Sequence, residues 1–248
     1  MPPIDCGFHI ALARPGAMTQ FPFDTIGFDL DGTLVDTAPD LCRAVNHALS
    51  TIGRPALTEA ATREVIGGGT RAMLTRALER TGGPVDEATY QQLYAALIAH
   101  YERHTSEHSE PYPGCLAALD ALEARGCRLA VVTNKQEYLA RKLLEELGLT
   151  HRFDCILGGD TLGPGRSKPN RDMLDEALRL CGGERFAMVG DSSFDVRAAR
   201  AAEVPIVVLS IGYHDIPADQ LGADALIDHY GELVGTLEGL NRAGISPR

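Results

Sequence analysis

The sequence predicts an α/β fold: a doubly wound parallel sheet with an all-helical insert after its first strand. Strand-like apolar runs recur at about 25–30, 128–132, 154–157, 186–190, 205–209 and 225–227. Helical patterns at about 114–125, 136–147, 170–181 and 194–202 separate most of them. Such alternation builds a parallel sheet with helices on both faces. Between the first strand and Pro111 the alternation stops, and the chain reads as helix over about 38–52, 58–65, 70–80 and 86–104. Gly53-Arg54-Pro55 and Thr81-Gly82-Gly83-Pro84 punctuate this stretch, and Pro111-Tyr112-Pro113-Gly114 marks the return to alternation.

These readings divide the 248 residues into a sheet unit (23–37 and 110–240), a helical unit (38–109), a leader (1–22) and a tail (241–248). The leader is rich in Pro, Gly and Ala, matches no element and is expected to be disordered. Asp5 and His9 interrupt its apolar part and no cationic start precedes it, so it does not read as a signal peptide. Met18, just ahead of the first strand, is the expected translation start.

Composition narrows the function classes. A net charge of −11 leaves no basic footprint for nucleic acid. No apolar run approaches the roughly 20 residues of a membrane span. The six cysteines are scattered without a C-x-x-C pair, which reads as reduced cytoplasmic thiols rather than disulfides or zinc ligands. Only three lysines occur, Lys135, Lys142 and Lys168.

The chemistry-bearing residues sit where strands end. Residues 28–37 read Phe-Asp-Leu-Asp-Gly-Thr-Leu-Val-Asp-Thr. Side chains at i and i+2 share one side of a strand, so Asp29 and Asp31 can be aimed at one point. A calcium loop does not fit, because Leu30, Leu34 and Val35 stand where oxygen ligands or polar residues belong and no bidentate Glu closes it. Val131-Val132-Thr133-Asn134 is an apolar strand ending in a hydroxyl and an amide. Ser167-Lys168-Pro169 precedes a helical pattern, and Val189-Gly190-Asp191-Ser192-Ser193-Phe194-Asp195 is a strand end with two more acids. Other readings stand beside these: Asp191, Asp195 and Thr133-Asn134 are also residue types that cap helices, and a lone Lys is usually a solvated side chain. Asp29, flanked by Phe28 and Leu30, would be partly buried and costly without a partner.

Taken together and in this order, the four segments resemble the haloacid-dehalogenase-like phosphohydrolases, from about Asp24 to about Leu237. The resemblance implies a Rossmann-like core with a helical cap. It also implies a Mg²⁺-dependent phosphomonoester hydrolase working through an aspartyl-phosphate. On it Asp29 is the nucleophile and Asp31 the general acid and base. Thr133 Oγ and the Asn134 N–H bind a phosphoryl oxygen, and Lys168 steadies both Asp29 and the phosphate. Asp29, the Asp31 carbonyl and Asp191 hold Mg²⁺, with Asp195 behind them. The charge balance agrees, since four acids around an anionic substrate require cations. The pattern departs at Arg171, where many members carry a second proline, so the Lys168 loop is expected to differ in shape or mobility.

Gly67-Gly68-Gly69-Thr70-Arg71 lies between two cap helices. Glycines let backbone approach a ligand closely, and a helix start suits an anion; an ordinary interhelical turn is the other reading. The stretch resembles the substrate-specificity loop of phosphoglycolate phosphatases, which implies a small, doubly anionic metabolite such as 2-phosphoglycolate. Asp31 argues against the dehalogenases, and the lack of Lys between 38 and 110 against a phosphonoacetaldehyde hydrolase. A sugar-phosphate phosphatase, a β-phosphoglucomutase-like enzyme using Arg71, and a catalytically silent binding protein remain alternatives. A monomer or homodimer in the cytoplasm is expected.

Overall fold

Four consecutive buried residues, Thr25 to Phe28, form β1 at the middle of the sheet. In the computed structural model, which describes residues 21–240, β1 (Thr25–Phe28) is followed by β2 (Val35–Asp36), α1 (Ala38–Ser50), α2 (Glu59–Arg63), α3 (Thr70–Thr81) and α4 (Glu87–Arg103). The chain returns through β3 (Glu110–Pro111) to α5 (Cys115–Glu123), β4 (Arg128–Val132), α6 (Glu137–Glu146), β5 (Cys155–Leu157) and α7 (Asp172–Cys181). It ends with β6 (Phe186–Gly190), α8 (Ser193–Ala202), β7 (Ile206–Leu209), β8 (Ala225–Ile227) and α9 (Leu233–Leu240). Met18 and the 241–248 tail lie outside the described residues, as does most of the expected leader. Phe21 is inside them and packs in the core, so the sheet unit takes in a residue ahead of the expected boundary at 23.

Six strands make one parallel sheet in the order β5-β4-β1-β6-β7-β8. Their side chains alternate between two apolar clusters. Ile26, Phe28, Leu129, Val131 and Val189 pack with α5, α6 and α9 on one face. Ala130, Val132, Phe186 and Met188 pack with α7 and α8 on the other. After β5 the chain crosses to the far side of β1, so β4 and β6 flank the switch point where ligands bind in open α/β sheets.

Gly27 shows how tightly the centre is packed. A Cβ there would meet the Phe186 ring at 2.3 Å. We expect Gly27→Ala to lower stability by about 1–3 kcal/mol through overpacking, read as a lower urea midpoint at unchanged slope.

The insert has its own apolar cluster, built by Val45, Leu49, Leu74, Leu78, Leu93 and Leu97 among others from α1, α3 and α4. The two crossings between insert and sheet are joined by the antiparallel β2–β3 pair, which the sequence analysis did not predict. Asp40 near the start of α1 reinforces that joint by accepting from the His108 N–H at 2.9 Å and the Ser109 hydroxyl at 2.7 Å. Also unpredicted is α9. Its Gly235 and Gly239 weaken local helix preference by about 1 kcal/mol each, and burial of Leu233, Leu237 and Leu240 prevails. No described helix is long and apolar enough to cross a membrane. Cys155 and Cys181, far apart in sequence, bring their sulfurs to 3.9 Å.

Candidate active site

Three strand ends and one loop converge at the switch point. Asp29 follows β1, and its N–H still bonds to the Val189 carbonyl at 2.9 Å, which fixes the residue as the last rung of the ladder. Gly32 then turns the chain at φ +82°; a Cβ there would stand 2.2 Å from Asp191 Oδ2, so the turn is both left-handed and crowded. Asp191 follows β6 and accepts from the Thr33 hydroxyl at 3.2 Å and from the Tyr213 N–H. Carboxylate oxygens of Asp29, Asp191 and Asp195 lie within 4.8 Å of one another, an acidic cluster able to hold a metal ion.

Lys168 lies in the middle of this charge. Only 3 % exposed, its Nζ stands 2.5 Å from Asp195 Oδ1 and 2.9 Å from Asp29 Oδ1. Lys168 thus bridges the two carboxylates as an ion pair with each. Burial works to lower the Lys168 pKa, but the Asp195 and Asp29 charges outweigh it and hold the ammonium above its ordinary range. The departure at Arg171 does not reach the site. Arg171 pairs with Asp175 at 2.7 Å, and the Lys168 loop is tied down by Asn134 Nδ2 donating to the Lys168 carbonyl at 2.9 Å.

Burial pushes Asp29 up to about 6; Lys168 opposes that rise, while Asp195 and Asp31 add to it. Asp191 is raised well above the usual carboxylate range by burial and then by Asp195 and Asp29. Both oxygens of Asp195 are already used. Oδ1 faces Lys168, and Oδ2 accepts from the Asp191 N–H at 3.3 Å, the Ser192 N–H at 3.1 Å and the Ser192 hydroxyl at 2.6 Å. Asp195 therefore both caps the start of α8 and pairs with Lys168.

Asp31 points elsewhere. Its Oδ1 accepts from the Thr37 hydroxyl at 2.7 Å and from Lys135 Nζ at 2.8 Å. The sequence analysis gave Lys135 no role, yet it is buried, and its ammonium lies 4.5 Å from the centre of the Tyr101 ring on α4. Burial opposes its charge, and the Asp31 carboxylate with the Tyr101 hydroxyl overcomes that and raises its pKa. The scarcity of lysine was the signal available for Lys135, and it was read only for Lys168. We expect Lys135→Met to lower kcat by roughly 10²–10⁴-fold, the range for general acid–base groups, with Asp31 left without its cation. Steady-state kinetics with a poor leaving group checks this.

Thr133 follows β4, and its Oγ accepts from the Lys135 N–H at 3.3 Å. Thr133, Asn134 and Lys168 line one cavity with Asp29, Asp31 and Asp191. Its volume of about 40 Å³ corresponds to a few waters. The insert closes the other side through Gly67, Gly68, Gly69, Thr70 and Met73. Gly67, Gly68 and Gly69 have φ of +111°, +69° and +89°, which explains three glycines in a row. A Cβ on Gly69 would also stand 3.0 Å from the Asn134 carbonyl oxygen.

Arg71, expected as a ligand of the substrate, is the exception. It does not line the cavity; its guanidinium lies over the Tyr94 ring at 4.3 Å, on the solvent side. The first turn of α3 points it outward, whereas Arg76 points back. Arg76 donates to the Val65 carbonyl at 2.7 Å and to the Gly67 carbonyl, pinning the glycine loop. Phe194 and Tyr213 also line the cavity and were not legible as site residues.

Comparison with known proteins agrees with this geometry. Residues 26–209 match the haloacid dehalogenase-like hydrolase family. The chain is 41 % identical over 223 residues to a phosphoglycolate phosphatase of Agrobacterium fabrum, covering 89 % of this chain and 95 % of that one. A solved structure described as a predicted phosphoglycolate phosphatase from Haemophilus somnus superposes with a TM-score of 0.81 at 32 % identity, covering 88 % of this chain and 99 % of that one. A mutant of CbbY from Rhodobacter sphaeroides, solved with xylulose-1,5-bisphosphate, superposes with a TM-score of 0.70 at 26 % identity, covering 85 % and 96 %. The strand order, the acids gathered at its switch point and these likenesses place the chain among the haloacid dehalogenase-like hydrolases, as an enzyme of their phosphatase kind.

Proposed function

We propose that the chain is a Mg²⁺-dependent phosphomonoesterase that hydrolyses 2-phosphoglycolate to glycolate and phosphate in the cytoplasm. The observation that carries the chemistry is Asp29: a buried acid at the switch point, 2.9 Å from the Lys168 ammonium and beside Asp191 and Asp195. In this reading Asp29 attacks phosphorus, a bond forms from its oxygen to the phosphoryl group, and the ester bond to the alcohol oxygen breaks. Asp31 gives that oxygen its proton, then takes one from the water that cleaves the aspartyl-phosphate. Substrate entry therefore has to draw Asp31 away from Thr37 and Lys135. Thr133, the Asn134 N–H and Lys168 hold the phosphoryl oxygens as charge develops on them.

The donor set fits a hard cation. Asp29, Asp191 and the Asp31 carbonyl would hold Mg²⁺, and Asp195, occupied by Lys168 and the start of α8, would act by holding Lys168 in place. The ion when bound would neutralise phosphate charge.

The substrate assignment is supported by the relatives named phosphoglycolate phosphatase and by the small cavity beneath the glycine loop. A sugar-phosphate phosphatase is the second reading, favoured by the likeness to CbbY solved with a sugar bisphosphate. Phosphate release from 2-phosphoglycolate, hexose and pentose phosphates and nucleotides, with Mg²⁺ and with chelator, separates them. We expect strong preference for 2-phosphoglycolate and loss of turnover on chelation. Preference for a sugar phosphate moves the assignment to the second reading. Turnover that survives chelation removes Mg²⁺, and dependence on a bisphosphate activator makes the enzyme a mutase.

A further inference from the structure

Three of the chain's eight histidines stack on the insert, and none of them lines the cavity of the acidic site. His100 and His104 occupy positions i and i+4 on and just after α4, with ring centres 4.6 Å apart and planes tilted by 37°. His47, from the last turn of α1, lies 4.6 Å from His100 at a tilt of 33°. Imidazoles sharing one ion at metal–nitrogen distances of about 2.0–2.1 Å place their ring centres roughly 5 Å apart. Both spacings are short enough for a shared ion and are equally those of stacked rings.

Two further features point the same way. His104 Nδ1 is 2.7 Å from Glu107 Oε1, the carboxylate partner that fixes a ligating imidazole and leaves its Nε2 lone pair free. His100 Nδ1 is screened from solvent and has no hydrogen-bond partner among the described residues. We propose that His47, His100 and His104 form a second metal site, for a borderline first-row transition ion of the Zn²⁺ or Ni²⁺ kind, which clamps α1 to α4. It is chemically distinct from the carboxylate cluster, because imidazole suits these ions and carboxylate suits Mg²⁺. Its argument is independent of the substrate assigned above.

The ring nitrogens do not yet converge. Among the described residues the group of three ligand atoms within 4.8 Å is the acidic one. His47 is exposed, and closing the triad requires its ring to turn toward His100 and His104. His100 is favoured in its neutral, ligating form by burial and then by the neighbouring His47, His104 and Arg103. Arg103 opposes an added cation, and Glu107 balances it. The clamp has a structural consequence, because α1 and α4 are the first and last helices of the insert and lead directly to the β2–β3 joint.

The test uses tag-free protein in saturating Mg²⁺, with Asp191→Asn as a background that disables the acidic cluster. Ni²⁺ is titrated by equilibrium dialysis while the imidazole NMR signals are followed. We expect one equivalent bound in both backgrounds and selective broadening of three of the eight histidine signals. We also expect loss of binding in His100→Gln and His104→Gln, and binding about tenfold weaker in Glu107→Gln. The proposal is overturned if these variants bind Ni²⁺ as the parent does, or if no imidazole signal responds. An unchanged affinity in His47→Gln removes the clamp. Far-UV circular dichroism of each variant separates lost ligation from lost fold.

Discussion

Asp29→Asn is expected to abolish turnover, by on the order of 10⁴-fold or more as for other removed nucleophiles, while leaving the protein as stable as its parent or more so. The two halves of this expectation have separate causes. The amide cannot form the acyl-phosphate bond, so every ester in the panel loses activity alike. The fold, however, gains from the change. Asp29 has a folded pKa of about 6 against an ordinary 3.8, because burial and the neighbouring acids disfavour its charge. A carboxyl raised in this way stabilises the fold below its unfolded pKa, and that contribution is gone once the pH passes about 6. At neutral pH the ionised group opposes folding, and a neutral isostere does not. Lys168 keeps Asp195 as its partner in the variant. Urea melts of both proteins without Mg²⁺ check the stability, and a lower midpoint for Asn overturns this account of Asp29.

Lys168→Met is expected to do the reverse, damaging fold and function together. It removes the cation between Asp29 and Asp195, the latter fully buried. Breaking a buried ion pair from one side typically costs about 3–5 kcal/mol, because the remaining charge is left in a poor dielectric. Asp29, already raised to about 6, relaxes by binding a proton, so the penalty should shrink as the pH is lowered. Turnover should fall by roughly 10³-fold even in the folded fraction, as for the loss of a donor to a developing phosphoryl charge. Urea denaturation at neutral and mildly acidic pH, with kinetics normalised to folded protein, separates the two effects. A midpoint equal to that of the parent shows that Lys168 is not held as described.

The six core strands were legible because each is a short apolar run bounded by turn residues, and the four motifs because they sit at the ends of such runs. The insert was legible because its periodicity changes and glycine–proline pairs bound it. The missing elements share a cause. β2 and β3 have two residues each and leave no period to read. α9 has the composition of a loop and is helical through burial alone. Within the site, Asp29, Lys168 and Asp191 could be read because their surroundings are local in sequence. Lys135 and Tyr213 could not, because each acquires its role from a residue far along the chain: Asp31 for the first, and Asp36, 2.6 Å from the Tyr213 hydroxyl, for the second. Arg71 was misplaced for a related reason. Adjacent positions on a helix face different directions, and the phase that turns Arg76 toward the loop and Arg71 outward depends on where α3 begins.

The double use of Asp195 bears on how the protein breathes. The same carboxylate anchors the ammonium of Lys168 and receives the amide protons of Asp191 and Ser192 at the start of α8. Those two amides cannot meet deuterated solvent unless the ion pair is disturbed as well. Their hydrogen exchange should thus be slow and should share one opening event with the core strands, although a strand-to-helix turn ordinarily opens by itself.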